Sequence, residues 1–356
     1  MPVALLCLVA LAPPAAAPLA AAPAVADPTA DPTADPATTD PATAPLPEPK
    51  VLRDGVRAWG DLPFRKAGDD VLKMDLVTPA PPVGEDDDPS ARPPLLIFVH
   101  GGGWVAGSKL RYKAEALDAA RHGRAAAAVE YRLSRVGRGG TYVAPFPAAL
   151  NDVRAAVAFL VARADELRVN PNRVVLIGDS AGGHLSLLTA LSANGDPSGE
   201  RTDGDDESND MSNDAESRVP RTPVAAVVNL FGVTDMPAYY TGSQHARTVL
   251  SLFLAGHLRD RRLAYDAASP VRFVDADDPP VLTLHGTGDR VVPFDQAKRL
   301  HAALEKAGVS NELVPIAGGM HGLFRQRDTV HDTIARFLEA RLAAEDSEAN
   351  AAAVAP

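Results

Sequence analysis

The sequence predicts an α/β fold in which a mostly parallel sheet of eight strands is covered by helices on both faces. Short, continuously apolar segments such as Leu95–Val99 alternate along the chain with longer segments whose apolar residues recur every three or four positions. Strands that are apolar on both faces are typical of parallel sheets, because helices cover such sheets from both sides.

The predicted elements follow one another in a regular order. The eight predicted strands are 55–65, 70–77, 95–99, 125–130, 173–177, 224–230, 280–284 and 312–316. The first two are expected to form an antiparallel hairpin that opens the sheet. The predicted helices are 109–122, 147–167, one that begins at Ala181, 294–307 and 328–343.

The N-terminal segment differs in composition from this core. Residues 2–26 are almost wholly Ala, Leu, Val and Pro, and they end in Ala24-Val25-Ala26. This pattern predicts a signal peptide over residues 1–26 and a secreted or periplasmic protein. No Lys or Arg precedes the apolar run, so a start codon placed too far downstream or a non-secreted low-complexity tail is the alternative explanation.

The other low-complexity segments delimit one domain. Residues 27–54 form a Pro-, Ala- and Asp-rich stretch that is typical of a linker. An acidic insertion at 194–222 and an Ala-rich tail at 344–356 are both predicted to be unstructured. The remaining 55–343, with that insertion, is expected to be a single domain.

Charge and cysteine content exclude several classes of function. The formal net charge is −11, and nine Asp or Glu residues with only three Arg lie in the 194–222 insertion. A nucleic-acid-binding face would need clustered Lys and Arg, so we expect no nucleic-acid binding from a chain with this net charge. Prolines at positions 13, 14 and 18 argue against a stable membrane helix in the N-terminal run. Cys7 is the only cysteine and no HExxH pattern occurs, so neither a metal site nor a cofactor is predicted.

The strongest motif is Gly178-Asp179-Ser180-Ala181-Gly182-Gly183, between a predicted strand and a predicted helix. A G-x-S-x-G turn of this kind exposes a strained serine, and small neighbours are needed because the chain turns sharply. The helix N-terminus behind the serine favours developing negative charge. Ser180 is therefore the predicted nucleophile; a glycine-rich turn without chemistry is the alternative.

A second motif, His100-Gly101-Gly102-Gly103-Trp104, follows the buried strand 95–99. Glycines let backbone N–H groups approach a ligand closely, and such groups can surround the oxyanion of a tetrahedral intermediate. The predicted donors are the N–H groups of Gly102, Gly103 and Ala181, with Gly101 as an alternative. Trp104 is expected to line the substrate pocket, and His100 to hold the loop.

The acid and the base are predicted from their positions after later strands. Asp289 lies a few residues beyond strand 280–284, where a carboxylate can reach a histidine imidazole, and Asp235 is the runner-up. His321 lies in Gly318-Gly319-Met320-His321-Gly322 after the last strand, so it is the predicted general base. The order serine, acid, histidine is also the order that accompanies a serine on a G-x-S-x-G turn. His285 is expected to be structural.

Three other histidines are interpreted as structural too. His184 lies one turn beyond Ser180 and is expected to pack beneath the serine turn. His301 and His331 lie on predicted helices and are expected to fill the surface or the core.

These motifs resemble those of the α/β-hydrolases, in particular the HGGG-bearing, hormone-sensitive-lipase-like branch of esterases. The segments Phe146–Ala149, Asp277–Pro280 and His285–Asp289 are also similar to those of bacterial acetyl-xylan and feruloyl esterase-like proteins. The resemblance covers roughly 55–343 and implies the fold and a serine–histidine–aspartate triad, but little about the substrate. The acidic insertion is longer than the family pattern.

The expected function is hydrolysis of short-acyl carboxylic esters, on a small molecule or an acylated polysaccharide, through an acyl-enzyme. An arylformamidase or another amide hydrolase would share the triad. A non-catalytic binding protein on the same scaffold is the third class, although such proteins tend to lose a triad residue and all three are present here.

Overall fold

The computed structural model describes residues 41–80, 89–192 and 224–354; for Ser90 and residues 343–354 only the backbone is described. A mixed sheet of nine strands runs through this part of the chain. The strands of the sheet are β1 (Lys50–Val51), β2 (Arg57–Ala67), β3 (Asp70–Thr78), β4 (Leu95–Val99), β5 (Ala125–Val129), β8 (Val174–Asp179), β9 (Ala226–Leu230), β10 (Val281–Gly286) and β11 (Asn311–Ile316). Their order across the sheet is β1-β2-β3-β5-β4-β8-β9-β10-β11. A separate short ribbon pairs β6 (Arg135–Val136) with β7 (Tyr142–Val143).

The strands β5, β4, β8, β9, β10 and β11 are each parallel to their neighbours in this series. The pairs β1–β2, β2–β3 and β3–β5 are antiparallel. The helices are α1 (Lys113–Arg121), α2 (Ala148–Ala162), α3 (Ala164–Leu167), α4 (Ala181–Leu191), α5 (Met236–Gly242), α6 (Gln244–Phe253), α7 (Arg262–Ala267), α8 (Asp295–Ala307) and α9 (Arg327–Val354). Helices α2, α4 and α8 contribute to one apolar core, and α1 and α9 contribute to the other. The sheet therefore has a helical layer on each face.

The alternation of side chains along β4 explains the two cores. Leu95, Ile97 and Val99 belong to the first core, whereas Leu96 and Phe98 belong to the second, and all five are buried. A strand that is buried on both faces must be apolar throughout, which is the pattern that predicted it.

The predicted architecture is confirmed, with one strand more than expected. All eight predicted strands form, and the predicted hairpin is β2 and β3. The ninth strand, Lys50–Val51, lies within the predicted linker 27–54 and pairs with the start of β2. The Trp59 indole N–H also donates to Pro47 O at 2.7 Å, so the chain is bound to the domain before residue 55. Two exposed residues at a sheet edge carry no periodic signal, which is why the sequence did not predict them.

The last helix differs from the prediction at its C-terminal end. It was expected to end at 343 and to be followed by a disordered tail, but the helical backbone continues to Val354. Alanine has the highest intrinsic helix propensity, so an Ala-rich segment extends a helix without any apolar periodicity.

Three predicted segments lie outside the described residues: the signal peptide 1–26, the linker as far as residue 40, and the acidic insertion 194–222. Among the described helices, none combines the length and the apolar character that crossing a bilayer requires.

Candidate active site

Ser180 occupies a sharp turn between β8 and α4. Its backbone has φ 52° and ψ −117°, a conformation that costs about 1–3 kcal/mol and persists only where neighbours hold it. The Ser180 N–H donates to the Leu230 carbonyl at 2.8 Å, which fixes the turn to β9. A Cβ at Gly182 would overlap the Val99 carbonyl, so this position of the motif must be glycine.

His321 and Asp289 lie beside this serine. His321 Nε2 is 3.1 Å from Ser180 Oγ, and His321 Nδ1 is 2.7 Å from Asp289 Oδ2. An ionised carboxylate only accepts hydrogen bonds, so Nδ1 carries the imidazole proton and Nε2 is free to accept from the serine hydroxyl. The structure thus brings together three residues that belong to three separate loops of the sequence.

Asp289 is held on both of its oxygens. Oδ1 accepts hydrogen bonds from the N–H groups of Val291 at 2.8 Å and Val292 at 3.0 Å, and Oδ2 accepts from His321. Burial raises the pKa of the Asp289 carboxyl, but the nearby imidazoles of His285 and His321 outweigh it, so the pKa lies well below its ordinary value. The group is therefore a fixed, ionised acceptor for the imidazole.

The rival residues have other partners. His285 is fully buried; its Nε2 donates to Val292 O at 2.9 Å and lies 3.5 Å from Asp289 Oδ2, so it supports the Asp289 loop. Asp235 accepts from the Ala238 N–H at the start of α5 and lies 3.4 Å from Arg299. Asp235 is therefore an N-terminal cap of α5, a role that short acidic side chains commonly take.

The glycine loop after β4 is fixed to the serine turn. The Gly101 N–H donates to Asp179 Oδ1 at 2.9 Å, and the Tyr112 hydroxyl donates to the same oxygen at 2.7 Å. At Gly102 the backbone has φ 129°, and a Cβ there would overlap the Ala106 carbonyl. His100 Nδ1 lies 2.8 Å from the Gly101 carbonyl, and its ring stacks on Tyr131, which agrees with the predicted role of His100 in holding the loop.

The predicted oxyanion donors face no protein acceptor in the part of the chain that the structure describes. No hydrogen bond is found there for the N–H groups of Gly102, Gly103 or Ala181. Ala181 is the first residue of α4, so its N–H has no acceptor within the helix. Gly101, the alternative donor, is already bound to Asp179.

Trp104 forms a buried wall of the cavity in front of Ser180. The indole is 2% exposed, stacks on Phe253 with ring centroids 4.5 Å apart, and donates through Nε1 to His184 Nδ1 at 3.0 Å. His184 Nε2 in turn donates to the Ala268 carbonyl at 2.8 Å. His184 therefore packs beneath the serine turn, as its position one turn after Ser180 predicted.

The cavity has a volume of about 260 Å³ and is lined by residues from several loops and from α5 and α6. Some of these residues are absent from the predicted site; they include Asp179, Phe231, Tyr239, His245, Val249 and Phe324. Burial raises the pKa of Tyr239 to about 12. The sequence could have indicated Asp179 and Phe231. Asp179 ends the strand that precedes Ser180, and Phe231 directly follows the neighbouring strand β9.

No group of three or more His, Cys, Asp or Glu side chains lies close enough to hold a metal ion among the residues that the structure describes.

Comparison with known proteins places this geometry in a family. The BD-FAE family model matches residues 85–304, which is more than half of the chain. The chain belongs to the BD-FAE family. The model of a second family, described as TAP-like protein, matches residues 263–348, which include the acid and histidine loops.

Relatives of this BD-FAE chain are named as esterases. Esterase LipC of Mycobacterium tuberculosis is 32% identical over 243 residues, which make up 66% of this chain and 54% of LipC. The chain thus spans about half the length of the curated relatives it matches.

Solved structures show the same fold. An esterase of Thermogutta terrifontis, Est2, superimposes with a TM-score of 0.59 and 24% identity, covering 81% of this chain and 93% of Est2. The same esterase phosphorylated by paraoxon superimposes with a TM-score of 0.54 and 25% identity, covering 76% and 85%. The fold of this BD-FAE chain is thus the α/β-hydrolase fold that its motifs predicted.

Proposed function

We propose that the chain is a serine esterase that cleaves carboxylic esters of short acyl groups, with Ser180, His321 and Asp289 as its triad. The observation that carries the proposal is the hydrogen-bonded series from Ser180 Oγ through His321 to Asp289, with distances of 3.1 and 2.7 Å, at the wall of a cavity. Relatives named as esterases support the reaction class.

The reaction follows from the orientation of these groups. Ser180 Oγ attacks the ester carbonyl while His321 Nε2 accepts the hydroxyl proton, and Asp289 stabilises the imidazolium that forms. The N–H groups of Gly102, Gly103 and Ala181 stabilise the oxyanion. His321 then returns the proton to the departing alcohol. Water hydrolyses the acyl-enzyme by the same sequence of proton transfers.

Covalent labelling with paraoxon tests the nucleophile, since this reagent phosphorylates the Thermogutta esterase. The wild-type protein should gain one diethylphosphoryl group on Ser180, detected by mass spectrometry of the peptides, and should lose activity on p-nitrophenyl acetate. Ser180→Ala should neither be labelled nor turn over substrate, with a rate at least about 10⁴-fold below wild type.

The matched control is Ser186→Ala. Ser186 lies on α4, the helix that begins directly after Ser180; it is fully buried, and its hydroxyl has no hydrogen-bond partner among the described residues. Its removal should leave labelling and turnover near the wild-type level. Labelling that persists in Ser180→Ala, or full activity in that variant, would refute the assignment of the nucleophile.

The substrate and the location are further proposals. The resemblance to acetyl-xylan and feruloyl esterase-like proteins favours an acylated polysaccharide as the natural substrate. The apolar run 2–26 with Ala24-Val25-Ala26 favours export to the periplasm or the medium. Hydrolysis of acetylated xylan, methyl ferulate and N-formylkynurenine in one panel tests the first proposal. N-terminal sequencing of the protein from each cell fraction tests the second.

A further inference from the structure

An exposed phenylalanine borders the candidate active site. The side chain of Phe324 is 73% exposed, more than any other large hydrophobic side chain in the described part of the chain, and it lines the cavity that contains Ser180 and His321. Val291, at 37% exposed, lines the same cavity, and Met320, at 53%, precedes His321. Exposed apolar groups clustered at a cavity commonly mark a binding surface.

The local backbone turns Phe324 outward. Leu323 has φ 50°, a left-handed conformation that a non-glycine residue adopts only at a cost, and its N–H donates to the Met320 carbonyl at 3.2 Å. The Leu323 side chain is 3% exposed and packs in the core with α9. With Leu323 anchored inward, the next residue faces the solvent.

The Phe324 ring lies directly against the residue that follows His321. A Cβ placed on Gly322 would collide with this ring, so the glycine gives the ring its position beside the histidine loop. The ring therefore lies against the backbone of the histidine loop, and Phe324 and His321 line the same cavity.

The position next to His321 determines which part of an ester meets the ring. His321 Nε2 faces Ser180 Oγ and returns its proton to the departing alcohol, so the alcohol leaves on the histidine side of the cavity. The buried wall of Trp104 and Val249 lies on the side of the glycine loop and α6. Phe324 and Val291 thus border the alcohol side.

We propose that Phe324, with Val291, is a specificity-determining platform for esters whose alcohol carries a ring with a flat apolar face. A flat face covers the phenylalanine ring and removes both from water, whereas a two-carbon alcohol covers little of it. The inference rests on the proposed esterase activity and specifies the alcohol that this site prefers.

The test compares three acetate esters on Phe324→Ala and Phe324→Leu. The esters are ethyl acetate, phenyl acetate and methyl mono-O-acetyl-β-xyloside, the last two presenting an aromatic and a pyranose ring. All three form the same acetyl-enzyme, so a change confined to the ring esters must arise on the alcohol side. For Phe324→Ala we expect kcat/KM to fall roughly tenfold on at least one ring ester and less than about twofold on ethyl acetate. Phe324→Leu should lie between Phe324→Ala and wild type.

Leu263→Ala is the control, because Leu263 is 72% exposed, as Phe324 is, but does not line the cavity. It should match wild type on all three esters. An equal loss on all three esters in Phe324→Ala, or no loss on either ring ester, would overturn the inference while leaving the esterase assignment intact. A wild-type protein that cleaves none of them would overturn the proposed function itself. A loss on one ring ester alone identifies whether the platform binds an aromatic ring or a pyranose ring of the alcohol.

Discussion

The Gly101 N–H donates a hydrogen bond of 2.9 Å to Oδ1 of Asp179, the residue immediately before Ser180. This bond joins the glycine loop after β4 to the serine turn after β8. The Tyr112 hydroxyl donates to the same oxygen at 2.7 Å, so one partly buried carboxylate oxygen joins three segments of the chain. Because the Gly101 N–H is used here, Gly102 and Gly103 are the glycines of the loop that remain to bind an oxyanion.

Removing the Asp179 carboxylate should therefore damage activity more than replacing it with an amide. Asp179→Asn keeps an oxygen that can accept from Gly101, and we expect kcat/KM on p-nitrophenyl acetate to fall less than about tenfold. Asp179→Ala leaves the Gly101 N–H without its partner and frees the loop, and a loss of roughly 10²-fold is expected, similar to the loss of one oxyanion donor. Equal losses in both variants would mean that the charge, and not the hydrogen bond, is what matters.

Replacement of the acid should separate Asp289 from Asp235. In Asp289→Asn the amide cannot hold His321 in the required tautomer, so the rate should fall by about 10³–10⁴. Asp235→Asn keeps a side-chain oxygen that can cap α5, and its activity should stay within a few-fold of wild type. Steady-state kinetics of both purified variants check this. If Asp235→Asn were the more damaged of the two, the acid would follow β9, and the Asp289 assignment would be wrong.

The positions of these residues could be predicted because they depend on strand order. Ser180, Asp289 and His321 follow β8, β10 and β11, and parallel strands bring their carboxyl ends to one edge of the sheet. Apolar runs locate the strands, and a serine, aspartate or histidine that follows such a strand can then be proposed as a catalytic residue. This is why the triad members and the glycine loop could be proposed from the sequence.

Contacts that join distant segments could not be predicted in the same way. The Tyr112 hydroxyl meets Asp179 only because the segment before α1 packs beside the end of β8, and no local pattern in the sequence encodes that approach. The outward turn at Phe324 depends on the left-handed backbone of Leu323, a residue type that does not favour it. The two-residue strand β1 is too short to show a period.

The pH dependence of stability should contain a contribution from His184. Burial lowers the pKa of His184 to about 4, because the enclosed ring is poorly solvated when charged, and this effect outweighs the hydrogen bond to the Ala268 carbonyl, which raises the pKa. The unfolded chain binds a proton at this histidine near pH 6.5, whereas the folded protein binds it only near pH 4. Stability is therefore complete above pH 6.5 and falls as the pH decreases towards 4, by about 3 kcal/mol from this residue.

Urea unfolding of His184→Gln at pH 7 and pH 4 tests this contribution. The variant should be less stable than wild type at pH 7, because the contacts of the imidazole change, but its loss of stability between the two pH values should be smaller by about 3 kcal/mol. His122→Gln is the control, because it makes the same replacement at a histidine whose side chain is 64% exposed. Identical pH dependence in His184→Gln and wild type would show that the buried imidazole does not titrate as described.

Acyl-chain length should be limited by the cavity wall. The buried indole of Trp104, stacked on Phe253 and tied to His184, closes the cavity beside the glycine loop, and the Gly103 backbone lies against Val249. Each additional methylene of an acyl chain would gain about 0.8 kcal/mol only if an apolar slot accepted it. We therefore expect kcat/KM on p-nitrophenyl esters to be highest for acetate and propionate and to fall steeply for acyl chains of ten or more carbons.

Trp104→Ala, which removes the wall, should shift the optimum towards longer chains, whereas Leu110→Ala, at an exposed site that does not line the cavity, should leave the profile unchanged. A wild-type rate that rises from acetate to laurate would contradict the short-acyl assignment and favour a lipase.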